Sequence, residues 1–320
     1  MTIIRAAPRW LDWPTSTAGM CRPVHSVVSV LFLLIAVAAA QGDRSLLAER
    51  VAQLTRESMW TSRASIPLAF RTYHPQGLVK IRDTFFLSSV EVHDRQAGRG
   101  VGHLFKVSDA GALITELRLG EGSTYHPGGI DYDGKDIWVP VAEYRPNSRS
   151  IIYRVNPETM AATRVMAFED HIGAIVHDTA TRALYGVSWG SRRFYRWTLD
   201  DRGRVTNADA RPESLQRLNP SHYIDYQDCK FVVRDRMLCT GVAVLQGPSL
   251  LSTFRLGGLE LVDLKESRPV HQVPVMLWTS TGLDMTHNAS WLEASAAGLR
   301  GYFVPEDDRS RIYVYEVQIK

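Results

Sequence analysis

From Ser65 onward the chain alternates apolar and polar residues in short runs, each broken by Gly, Asp, Asn or Pro. Period-two alternation between turn residues is the signature of half-buried β-strands. Successive runs read GLVKI, TFFLSSVEV, HLFKVS and ALITELRL, and then GIDYD, DIWVPVAEY, SIIYRV and ATRVMAF. A third set reads GAIVHD, ALYGVSW and RFYRWTL, with an ill-defined fourth strand near Arg204. A fourth reads YIDYQD, CKFVV with MLCTGVAVL, GLELVDL and HQVPVML. The last reads TGLDMT, LRGYFVPED and RIYVYEVQ, one strand short. Only residues 44–60 depart from this pattern, with Leu46, Leu47, Val51, Leu54 and Met59 at helical spacing.

A repeated phrase sets the period. TYHPQG at Thr72–Gly77 returns as TYHPGG at Thr124–Gly129, and its histidine recurs as His74, His126, His171 and His222, at spacings of 52, 45 and 51 residues. That spacing suits one four-stranded blade per unit, so the expected fold is an all-β propeller. Five blades use every strand if SIPLAF (Ser65–Phe70) supplies the outer strand that the last unit lacks. A sixth requires a blade hidden in Asp200–Pro220. The domain plan is therefore a leader over 1–40, a helical segment over 41–64 and one propeller over 65–320.

The leader reading rests on Arg5, Arg9 and Arg22 ahead of the apolar run Val27–Ala40, which ends in Ala38-Ala39-Ala40. A positive stretch, a short apolar core and an A-x-A site describe a secretory signal peptide; an uncleaved anchor is the alternative. The expected location is extracellular, or periplasmic in a bacterium. Removing three arginines and Asp12 with the leader lowers the formal charge from +3 to +1. That balance argues against nucleic acid, which selects a basic face, and no charge block suggests a membrane contact beyond the leader. Cys229 and Cys239 bracket a hairpin turning near Arg234-Asp235, where they either form a disulfide or remain two buried thiols.

In a propeller, equivalent positions converge on one axis. His74, His126, His171 and His222 are thus expected around one channel mouth. Aligning the second strands adds Glu91, Glu143 and Glu306 to it, with Trp189 and Ala243 in the other two blades. Imidazoles and carboxylates suit Zn, Fe or Mn, and carboxylates suit Ca. A metal held by the four histidines, with Glu91 or Glu143 as general base, describes a hydrolase or lyase acting on a small molecule. The competing role for these side chains is to hold the blades in register. The fifth unit has Thr279 where a histidine is expected, and His287 reads as too far along to replace it. Asp131, Asp225 and Asp284 form a second aligned set, as channel ligands or turn caps. Gly186–Gly190 matches G-x-S-x-G, but that nucleophile turn requires a following helix where a strand is expected.

The segments HPGGIDYDGKDIWVPVAEYRPNSRSIIYRV, GVSWGSRR, NPSHYIDYQDC and GGLELVDL resemble a family of secreted proteins of unknown function, over about Ile66–Val317. More distantly, the blades are similar to those of gluconolactonase-like and streptogramin-lyase-like propellers, whose catalytic residues cannot be placed here position by position. The resemblance implies fold and export. It leaves three functions open: a metal-dependent hydrolase or lyase, a propeller that holds a small ligand such as a sugar or lactone without turnover, and a protein-binding scaffold.

Overall fold

The computed structural model describes residues 44–233, 235–247, 249 and 252–319. The expected leader and Arg234 lie outside the described residues. Five sheets form a propeller, each with its innermost strand at the axis. Blade one comprises His74–Ile81, Thr84–Asp94, Arg99–Ser108 and Leu113–Leu119, as the alternation predicts. In blade two the inner strand is split into Thr124–Pro127 and Asp131–Tyr132, followed by Ile137–Glu143, Ser150–Val155 and Ala162–Phe168. Blade three ends on a two-residue outer strand, Arg217–Leu218, so Asp200–Pro220 holds this strand and a short helix (Pro212–Leu215) rather than a sixth blade.

Blade four consists of Asp225–Val233, Arg236–Gln246, Thr253–Asp263 and Arg268–Val275. Cys229 and Cys239 are directly opposed in its first hairpin and form a disulfide, with Cα atoms 4.1 Å apart. Blade five corrects the sequence reading. Its inner strand is Ala289–Ala294 (ASWLEA), not TGLDMT, followed by Gly298–Val304 and Arg311–Gln318. The N-terminal strand Trp60–Pro67 pairs antiparallel with Arg311–Gln318, from Trp60 opposite Val317 to Pro67 opposite Arg311. That closure was expected, but the strand starts earlier and stops sooner than SIPLAF. The helix is correspondingly short, covering 44–51 only.

This helix buries Leu47, Ala48 and Val51, with Leu54 beyond it, against Val232, Leu238, Leu292 and Leu299 of blades four and five. Full burial of each leucine or valine contributes roughly 1.5–3 kcal/mol, enough to hold a helix too short to persist alone. Among the described residues, no helix is long and apolar enough to cross a membrane.

At the axis the inner strands approach so closely that the glycines of the repeated phrase are obligatory. A Cβ on Gly77 would lie 2.6 Å from the Ile130 nitrogen, and one on Gly129 would lie 2.8 Å from the Asp228 Cα. Through that approach the Asp228 carboxylate accepts backbone N–H groups from Leu78 at 2.7 Å, Ile130 at 3.1 Å and Ser290 at 3.2 Å. Lys230 neutralises it and donates to the Ile130 carbonyl at 2.6 Å. One buried ion pair on blade four therefore ties together the inner strands of blades one, two and five.

Candidate functional site at the histidine-lined mouth

The N-terminal ends of all five inner strands meet at one mouth of the channel, around a cavity of about 330 Å³. His74, His126 and His171 line it, as the repeat predicts. The fourth imidazole is His287, not His222. The inner strand of blade five begins at Ala289, so His287 stands two residues before it, much as His171 immediately precedes Ile172. Reading TGLDMT as that strand hid the equivalence. His222 stands three residues ahead of its own strand, which begins at Asp225. Its Nδ1 meets the Asn219 carbonyl at 2.9 Å and its Nε2 contacts Arg192, so both ring nitrogens are engaged and the ring does not line the cavity.

Burial governs the protonation of this cluster, because desolvation penalises the imidazolium. It holds His126 well below the ordinary imidazole range, with His171 and His74 adding to the effect. It brings His171 down to about 4. His287 is lowered by burial and then by Arg255. Two rings are also oriented. His171 donates Nδ1–H to the Glu143 carbonyl at 2.8 Å, which leaves its Nε2 as an acceptor. The His74 Nδ1 meets the Asp307 carboxylate at 2.8 Å, and Asn288 donates to the same oxygen at 3.2 Å. His126 differs: it is only 5% exposed, stacks on Tyr144 at 4.0 Å, and neither ring nitrogen has a hydrogen-bond partner. A buried polar group without a partner costs of order 1–3 kcal/mol, which a bound molecule can offset.

Other polar groups complete the wall: Gln76, Gln227, Asn288 and the Asp225 carboxylate, with Tyr144 and Trp189 as aromatic sides. Trp189 meets His171 edge-on at 4.7 Å. Ser188 of the G-x-S-x-G match also lines the cavity, but it is followed by a single 3-10 turn, Trp189–Ser191, and its hydroxyl accepts the Arg193 N–H at 3.0 Å.

The glutamates expected beside the histidines are turned elsewhere. His74 lies opposite Val90 and His126 opposite Ala142, one position short of Glu91 and Glu143. Successive strand residues point to opposite faces, so the neighbouring glutamate faces away. Glu91 lies 3.4 Å from His93 and 3.8 Å from His103. Glu143 accepts from Ser123 at 2.8 Å and pairs with Arg145, while Glu306 accepts from the Tyr313 hydroxyl at 2.6 Å. The three aspartates do not form a ring either. Asp225 is at this mouth, Asp284 is buried without a partner, and Asp131 lines a cavity at the opposite mouth.

Among the described residues, no group of three or more His, Cys, Asp or Glu side chains converges closely enough to hold a metal ion. The donor types fit a transition metal, but their arrangement does not.

Comparison with known proteins bears on the fold. A hypothetical protein from Leishmania major superposes with a TM-score of 0.50 at 11% identity, over 79% of this chain and 90% of that one. The Leishmania mexicana mannose phosphorylase MPT-4 gives 0.49 at 9%, over 79% and 88%. The β-propeller domain of the trilobed protease from Pyrococcus furiosus gives 0.32 at 11%, over 78% and 71%. At such identities the likeness concerns architecture alone, and none of these matches carries the gluconolactonase-like similarity. A search of curated proteins returns no match. Residues 31–320 match the model of DUF6454, and the chain belongs to that family of unknown function.

Proposed function

We propose that the protein binds a small polar molecule in the histidine-lined mouth and hydrolyses it at an ester or lactone carbonyl by imidazole acid–base chemistry. The observation that carries this reading is His126, buried in the cavity wall with both ring nitrogens unpartnered between His74, Tyr144 and His171. His74 is the candidate general base, since its Nδ1 is tied to Asp307 and its Nε2 is left to act. A water proton would pass to that nitrogen as the water oxygen attacks the carbonyl carbon, and the imidazolium would return it to the departing oxygen. His126 would hydrogen-bond the substrate, and Tyr144 and Trp189 would cover its apolar face.

A panel of small esters and lactones, followed by proton release in weak buffer, tests this. Turnover that disappears in His74→Gln, with the melting temperature retained, supports it; Glu143→Gln should leave the rate unchanged. Quenching of tryptophan fluorescence by a panel member without turnover would instead favour a binding propeller. The metal expected from the sequence is a second reading that rests on donor type alone, through the free Nε2 atoms of His74 and His171, since the side chains do not converge on one point. Elemental analysis of untagged protein and of His126→Ala decides it, since a bound metal must be stoichiometric and must fall in the variant.

A further inference from the structure

The mouth also carries a charge asymmetry that points to the class of molecule it takes. Burial disfavours the charged forms of His126, His171 and His287, and among the described residues the one carboxylate lining the cavity, Asp225, is paired with Arg192 at 2.9 Å. The second-strand glutamates are turned away and engaged by their own partners. Two arginines, in contrast, contact wall residues from opposite sides without any carboxylate partner among the described residues.

Arg95, beyond the second strand of blade one, lies 4.0 Å over the Tyr144 ring and 5.8 Å from that of Trp189. Its Nε donates to the Tyr144 carbonyl at 3.2 Å, which fixes the guanidinium at the rim. Arg255 lies 3.5 Å from the Nδ1 of His287. It sits on the hairpin of Arg236–Gln246 and Thr253–Asp263, the only pair of eleven-residue partners in any blade among the described residues. Val244, opposite Arg255 in that ladder, is 58% exposed on the same face. Both guanidiniums therefore present unused donors at a mouth whose nearby carboxylates, Asp225 and Asp307, are already engaged by Arg192 and by His74 with Asn288.

We infer that the molecule bound at this mouth carries an oxyanion group, a carboxylate or a phosphate, recognised by Arg95 and Arg255. Guanidinium forks match both groups in geometry and bind them with charge-assisted hydrogen bonds. A volume near 330 Å³ is at the small end for ligand pockets and suits a molecule of a few carbons. This inference rests on the mouth being the binding site, though not on turnover there.

Calorimetric titration with inorganic phosphate, L-malate and uncharged threitol tests it. Phosphate or malate should bind at least tenfold more tightly than threitol, and whichever does identifies the preferred oxyanion. Arg95→Gln and Arg255→Gln should each weaken that probe about tenfold with the melting temperature retained, since a hydrogen bond to a charged group is of that size. Arg268→Gln, at the far end of blade four, should change nothing. Threitol binding as tightly as the anions, no binding by any probe, or anion binding undiminished in both variants overturns the inference. Threitol binding lost in His126→Gln would leave the mouth as the site and end the anionic assignment alone.

Discussion

Asp228 accepts the backbone N–H of Leu78 at 2.7 Å, across the axis and 150 residues away in sequence. Burial raises the Asp228 carboxyl to about 6 and lowers Lys230, while their mutual attraction opposes both shifts. Breaking a buried pair by removing one partner is far costlier than replacing both, because the survivor is left desolvated and alone.

Asp228→Asn should accordingly destabilise the protein by roughly 3–5 kcal/mol. The double variant Asp228→Asn/Lys230→Met should recover part of that loss. Denaturant unfolding measures both, and a double variant less stable than the single would contradict the role assigned to the pair.

Glycine substitutions at the axis should separate by position. Gly129→Ala places a Cβ 2.8 Å from backbone atoms of blade four and should cost about 2 kcal/mol or more. Gly173→Ala meets nothing closer than 3.7 Å and should be nearly neutral. Thermal melts of the two variants make the comparison.

Acid sensitivity should report the buried imidazole. His171 is held at about 4 when folded, against an ordinary value near 6.5, so between those limits the unfolded chain binds more protons. Its contribution, about 3 kcal/mol, is present above pH 6.5 and is lost as pH falls toward 4. Asp131 and Asp228, raised by burial to about 6, act oppositely from pH 4 to 6. Relative to the parent, His171→Gln should therefore gain stability as pH falls from 6.5 toward 4, whatever the net slope of the parent. A variant as acid-sensitive as the parent would refute this.

Reduction of the Cys229–Cys239 disulfide should lower stability by about 2–3 kcal/mol, the loop entropy expected for residues separated by 10 in sequence. Intact-mass measurement should show a gain of two hydrogens on reduction, accompanied by a lower melting temperature.

Much of the fold was legible because strand alternation and a repeated phrase are local signals. Five blades, the closing N-terminal strand and the opposed cysteines all followed from them. The errors came where a signal depended on register. TGLDMT has the pattern of an inner strand, yet the strand is ASWLEA, and that slip concealed His287. Glu91 and Glu143 align in sequence with the histidines, but a one-residue offset in pairing sends them to the opposite face. Asp228 carried no sequence signal, because its partners are backbone groups of three other blades. Arg95 lies just past the end of a strand and Arg255 on the part of Thr253–Asp263 that precedes the GLELVDL run, so the repeat did not single them out.

The ring is fastened by Trp60–Pro67 lying against Arg311–Gln318. Trp60–Pro67, made early, must therefore wait, unpaired, until Arg311–Gln318 has been made. Closing so long a loop carries an entropic cost that grows slowly with length, but contacts this distant in sequence delay folding. A chain interrupted before Arg311 would expose two unpaired strand edges, Trp60–Pro67 and Gly298–Val304, each a template for pairing with another molecule. The latch that completes the propeller thus also sets the interval during which it is most prone to aggregate.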